Sequence, residues 1–119
     1  MKKLLLTCLI LFIAGGLIFA QQQRFRNGAQ TGTGVSYNEA TGGYDGSITV
    51  EVTFRSNRIT EITVTQYTDT DAFMTMVRRM MIPAMISSNG TNVDVVAGAT
   101  STSNGLKQAV EEAMSKARR

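Results

Sequence analysis

Residues 48–54 alternate strictly: Ile48, Val50, Val52 and Phe54 are apolar, and Thr49, Glu51 and Thr53 between them are polar. A period of two puts one set on each face, the pattern of a strand with one buried side. Ser56-Asn57 then fits a tight turn, because Asn tolerates positive φ. Residues 59–67 make the returning strand, with Ile62 and Val64 on one face, and the broken alternation between Ile59 and Ile62 predicts a bulge. Asp69-Thr70-Asp71 supplies N-caps for a helix beginning near Ala72. Its expected apolar stripe is Phe73, Val77, Met80 and Met81, with Arg78 and Arg79 in water. Pro83, the only proline, is expected to open a second short helix over residues 83–88, where its missing N–H is no loss. Asn89-Gly90 ends that helix, and residues 93–96 read as a third strand. A last helix over about residues 102–117 is expected to bury Leu106, Ala109, Val110, Ala113 and Ala117. It sets Glu111 and Glu112 near Lys116. The order β-β-α-α-β-α predicts a small α+β domain, its mainly antiparallel sheet covered by helices on one face.

The 119-residue chain has room for one domain, and its first part is not domain-like. Met1-Lys2-Lys3, an apolar run over residues 4–19 and Ala20 have the parts of a secretory signal peptide. The run is also about the shortest that spans a bilayer, so a retained membrane anchor is the alternative. Both place the remainder outside the cytoplasm, with Lys2 and Lys3 left inside. The only cysteine, Cys8, falls in that run, so the exported part has no disulfide and depends on its core. Residues 21–41 are rich in Gln, Asn, Gly, Ser and Thr and read as a flexible linker, with at most an edge strand at Val35-Ser36-Tyr37. The domain is then expected over residues 42–119, entered through Gly42-Gly43-Tyr44-Asp45-Gly46.

The formal net charge of +3 shrinks to +1 once Lys2 and Lys3 are set aside. Arg24 and Arg26, Arg78 and Arg79, and Arg118 and Arg119 are separated pairs that read as solvated surface. They do not form a basic face interleaved with aromatics, so nucleic acid is not an expected partner.

The segment with the clearest chemistry is Asp94-Val95-Val96-Ala97-Gly98-Ala99-Thr100-Ser101-Thr102-Ser103. It leads from an acidic residue through an apolar stretch to a Gly-Ala corner, with four hydroxyls at a helix start. Such a corner offers a phosphate outward-pointing amides and the positive end of a helix dipole. Gly98 admits backbone conformations closed to other residues, Ala99 keeps the corner narrow, and the amides of Ser101, Thr102 and Ser103 are expected to meet phosphate oxygens. Taken alone, a Ser/Thr cluster before a helix is ordinarily an N-cap, and Asp94 an ordinary turn residue.

In combination, these residues resemble the FMN-binding domain family. Its members include the small exported flavodomains of sodium-pumping NADH:quinone oxidoreductase and of Rnf-type electron-transfer complexes. The resemblance rests on Gly43-Tyr44-Asp45-Gly46 leading into Ile48-Thr49-Val50-Glu51-Val52, on Ile59-Thr60-Glu61-Ile62 after the turn, and on Val93-Asp94 through Ser103 followed by Ala109-Val110. It implies an FMN cofactor held by a phosphoester bond to Thr100. A Mg²⁺-dependent flavin transferase with FAD as donor would install it, and Asp94 would belong to that enzyme's recognition element. The implied role is extracytoplasmic electron transport between a membrane redox protein and an external acceptor, as a carrier more than a stand-alone enzyme. Ala97 departs from the family, which has Ser or Thr there, and removes one hydroxyl from the corner.

A Thr hydroxyl is a poor nucleophile without a base or metal, and the chain contains no histidine. Modification by another enzyme is the coherent expectation. Tyr44 and Tyr67 are candidate stacking partners for an isoalloxazine ring. Met74, Met76, Met80, Met81 and Met85 are ordinary core or polarizable contacts to it. Two other functions fit the residues: a non-covalent FMN-binding module or reductase component, and a flavin-free envelope domain.

Overall fold

The alternating segment forms the middle strand of a three-stranded antiparallel sheet. The computed structural model describes residues 24–119; the expected signal or anchor over residues 1–20, Cys8 included, lies outside them. The elements are β1 (Gly28–Asn38), β2 (Gly43–Arg55), β3 (Arg58–Tyr67), α1 (Asp71–Ser88) and α2 (Thr100–Ala117). The α+β class and the helices on one sheet face stand as the sequence predicts, but the order is β-β-β-α-α. Ile48, Val50, Val52 and Phe54 are fully buried. Ser56 and Asn57 both take positive φ in the β2–β3 turn, and the bulge falls at Thr60, with a second at Thr65. Each bulge threonine donates its hydroxyl to a β2 carbonyl, Thr60 to Thr53 O (3.2 Å) and Thr65 to Thr49 O (3.2 Å). The side chain thereby occupies an acceptor where the ladder is disrupted.

Three expectations are corrected. Residues 28–38, within the expected linker, are strand β1, paired along β2 from Gly28↔Phe54 to Asn38↔Gly43. Its inward positions are Gly32, Gly34 and Ser36, all buried. A Cβ on Gly32 or Gly34 would collide with the α2 backbone at Ala109, Ala113 and Gly105. The glycines therefore exist to let α2 lie directly on the strand. The free edge of β1 is closed by the same helix: Gln108 Oε1 accepts from Val35 N (2.7 Å), Glu112 Oε1 from Thr33 N (3.1 Å), and Lys116 Nζ donates to Thr31 O (2.7 Å). Four helical residues rise about 6 Å and two strand residues about 6.6 Å. Side chains at every fourth helix position thus keep step with alternate strand residues, and the exposed edge is protected.

The second correction concerns Pro83, which lies inside one continuous helix, α1, on its exposed side. There a carbonyl deprived of its helical donor can turn to water. The buried stripe of α1 is Met74, Val77, Met81 and Met85, while Phe73 and Met80 are exposed. The third concerns residues 93–96, which belong to no strand; the Val96 amide is satisfied instead by Ser103 Oγ (3.0 Å). The α2 expectation holds, with Leu106, Ala109, Val110, Ala113 and Ala117 all fully buried and Lys116 3.7 Å from Glu112.

The two ends of the described chain meet. Phe25, buried against Phe54 with ring centroids 4.6 Å apart, forms a bridge with Arg118. Arg26 N donates to Ala117 O (2.8 Å) and Arg119 N to Arg24 O (3.0 Å).

Candidate functional site

The corner before α2 is built by its own hydroxyls. Gly98 has φ +85°, a left-handed conformation that favours glycine, and a Cβ there would meet only open space. Ala99 N donates to Val96 O (3.0 Å), closing the turn. Ser103 Oγ donates to Ala99 O (2.7 Å) while accepting from Val96 N. Ser103 N also donates to Ala99 O (2.9 Å), so this residue shapes the corner and has no amide left for a ligand. That corrects the expected role of its amide.

Thr102 is likewise structural. Its hydroxyl donates to Asp69 Oδ2 (2.7 Å), which also accepts from the Ser36 hydroxyl (2.5 Å), and Thr70 N donates to Asp69 Oδ1 (2.7 Å). Asp69 is 4% exposed, and a carboxyl group so buried is tolerated only with hydrogen-bond partners around it. One carboxylate thus ties β1, the β3–α1 connection and the α2 N-terminus together. Composition and spacing did not single it out for this; a buried role for Asp69 becomes visible only when the three segments meet.

Thr100 is the first residue of α2 and is exposed, with Ser101 half-buried beside it. The helix N-cap, Ala99, provides no side-chain cap, and the first turn holds no acidic residue. The leading amides of α2 therefore stay open to an anion at the positive end of the dipole. A cleft of about 380 Å³ opens here, lined by residues 98–102 with Tyr37, Tyr44, Phe73 and Asp69. A shallower groove continues from Thr100, Ser101 and Tyr44 along Val35, Asn104, Gly105 and Gln108. Tyr44 (69% exposed), Val35 (60%) and Phe73 (40%) are three of the large apolar side chains left in water, and all three border Thr100. Tyr37 supports Tyr44 edge-on, ring centroids 5.5 Å apart. Apolar walls, an exposed hydroxyl and an uncapped helix start make a cleft of the size and chemistry that small cofactors use.

The sequence profile of the FMN-binding domain family matches residues 43–115. The chain belongs to the FMN-binding domain family. Its cofactor is accordingly FMN, and the cleft's residues fit that group, with an anion site at one end and aromatic walls beside it. A protein of Treponema pallidum (strain Nichols), described as uncharacterized, is 33% identical over 76 residues, or 64% of this chain. The match covers 21% of that relative, so this chain corresponds to about a fifth of it.

Other residues singled out from the sequence lie elsewhere. Asp94 is exposed on the connection before the corner and lines neither depression. Tyr67 borders the neighbouring groove with Glu39 and Asp71. Its hydroxyl donates to Asp71 Oδ1 (2.5 Å), which, with burial and the Asp71 charge, raises its pKa above the usual tyrosine value. Arg78 lies over its ring at 5.6 Å. Met74, Met81 and Met85 are core, and no methionine lines the cleft. Tyr37 and Phe73 join the cleft without a local sequence signal for it. Tyr37 fell in the expected linker, and Phe73 carried the expected core stripe.

Proposed function

We propose that this FMN-binding domain is an extracytoplasmic electron carrier with FMN attached to Thr100 through a phosphoester bond. The observation that carries the reading is Thr100 itself: an exposed hydroxyl at the mouth of an aromatic-walled cleft, on an uncapped helix start. In that attachment Thr100 Oγ1 would give up its proton and take the FMN phosphoryl group from FAD, with AMP as the leaving group. The base and Mg²⁺ belong to the flavin transferase, consistent with the absence of histidine from the chain. Asp94, exposed ahead of the corner, is accessible to that enzyme.

Bound FMN supplies reversible electron transfer. Gly98 and the amides of Thr100, Ser101 and Thr102 would receive the phosphate, and Tyr44, Phe73 and Val35, which line the same depressions, would shelter the ring system from water. Thr102 and Ser103 act from below, holding the helix start in place. The partners are a membrane redox protein and an external acceptor, and residues 1–20 are the export signal or anchor.

Co-production with a flavin transferase, followed by denaturing electrophoresis, tests this. The native sequence should carry in-gel flavin fluorescence and Thr100→Val should carry none. Fluorescence retained by the valine variant sinks the assignment. Ala97, where the family has a hydroxyl residue, favours the second reading of non-covalent FMN. In that case the flavin leaves both proteins on denaturation.

A further inference from the structure

The arginines that are scattered along the sequence converge in the fold. The clasp between the ends of the described chain brings Arg24 and Arg26 beside Arg119. The β2–β3 turn joins them, because Phe25 N donates to Asn57 Oδ1 (3.1 Å) and Ser56 N to Asn27 Oδ1 (3.1 Å). That turn sets Arg55 opposite Arg58. Arg24, Arg26, Arg55, Arg58 and Arg119 are all exposed, half of the ten basic residues among those described. Arg118 lies at the same end but is paired with Glu111 (2.8 Å). Glu61, opposite Thr53, and Glu51, opposite Thr63, are exposed carboxylates farther along the same strands, while Glu111 and Glu112 on α2 are paired with Arg118 and Lys116.

The opposite end has the opposite charge. Glu39, Asp45 and Asp71 are exposed around the β1–β2 turn and the start of α1. Thr100 is at that end, one full length of α2 from the arginines, or about 27 Å for its 18 residues. That separation is roughly three Debye lengths at physiological salt. A charged surface under the arginines would therefore attract them without feeling the carboxylates near the cleft.

We infer that this arginine pole docks on an anionic lipid surface and holds the cleft at Thr100 facing away from it. Two observations select lipid over an acidic protein. A depression of about 340 Å³ at this pole is lined by Arg26 and Arg119, but Arg24, Arg55 and Arg58 stand outside it, so the five charges are spread over a surface wider than one pocket, suiting a field of phosphate headgroups more than one shaped partner. Arg24, the first described residue, is at this pole, so the preceding segment with its apolar run over residues 4–19 leaves from here. The inference rests on residues 1–20 bringing the chain to a membrane, and it is independent of how FMN is held.

The experiment uses the full chain, with Cys8→Ser and one new cysteine, Ser56→Cys at the pole or Asn104→Cys beside the cleft, each bearing a fluorophore. The proteins are reconstituted in vesicles of phosphatidylcholine alone, or with phosphatidylglycerol, carrying a quencher on the lipid headgroup. The pole probe should be quenched in the anionic vesicles, released by high salt, and quenched far less in phosphatidylcholine. The cleft probe should stay bright throughout. Arg55→Gln with Arg58→Gln should lower the docked-to-undocked ratio about 25-fold, at about fivefold per arginine, and the salt titration of the unsubstituted pole repeats the test without altering the fold. Equal quenching in both vesicle types, indifference to the arginines, or equal quenching of both probes overturns the inference. A soluble acidic partner would give the first of these results. Thr100→Val should dock unchanged, which separates failure here from failure of the flavin assignment.

Discussion

Gly34→Ala separates two readings of residues 28–38 by the sign of its effect. Were the segment a linker, alanine would be neutral or would stabilise by about 0.4–1 kcal/mol, by restricting the unfolded chain. In the structure the added Cβ collides with the Gly105 carbonyl and lies 2.9 Å from Ala109 N. Both obstacles are backbone, so no side chain can swing aside, and α2 must withdraw from β1. A gap of about 1 Å forfeits a quarter to a half of each facing dispersion contact, and overpacking of this kind costs up to about 3 kcal/mol. For a domain of about 100 residues that lowers the melting midpoint by about 12–24 °C. The assay is thermal unfolding followed by far-UV circular dichroism, with Val35→Ala as control, because Val35 is the exposed neighbour on the same strand. An unchanged or raised midpoint for Gly34→Ala would refute the packing role assigned to the strand.

Thr102→Val removes one of the hydroxyls that hold the buried Asp69 and should cost about 1–3 kcal/mol, read as a lower urea midpoint with an unchanged m-value. Pro83→Ala restores the N–H that can donate to the Arg79 carbonyl and should stabilise the protein by about 1–3 kcal/mol; a lower melting midpoint would mean that the fold requires the proline. Burial pushes the Glu111 carboxyl up, but the Arg118 and Thr91 hydrogen bonds and the Arg118 charge outweigh it and hold its pKa below 4.5. Its contribution to stability is therefore complete above pH 4.5 and is lost as pH falls through the folded-state value. Glu111→Gln should flatten that part of the stability-against-pH curve, and an unaltered slope would exclude the assignment.

The hairpin was legible because its signals are local. Alternation from Ile48 to Phe54, positive φ at Ser56-Asn57 and the bulge beyond Ile59 each depend on a few adjacent residues. The buried side of α2 was legible for the same reason, since its small and apolar residues recur at helical spacing. The stripe on α1 was misplaced at two positions, exchanging Met74 and Met85 for Phe73 and Met80. Neighbouring positions on a helix are about 100° apart, and only the location of the sheet decides which of them is inward. Pro83 misled in a related way, because a proline on the water side of a helix costs less than one facing the core.

From the residues alone came the α+β class, the corner at residues 98–100 and the resemblance that identified FMN. Tertiary structure alone decided what surrounds the glycines, the arginines and Asp69. Gly32 and Gly34 look the same in a flexible tether and under a helix, because their purpose lies in the backbone across from them. Arg24 and Arg119 lie at the two ends of the described chain and become neighbours only through the clasp at Phe25. Ser36, Asp69 and Thr102 come from three separate segments, and a carboxylate needs all three in place before it can be buried. Periodicity encodes which way a residue faces, whereas its partner across the interior is set by how the elements pack.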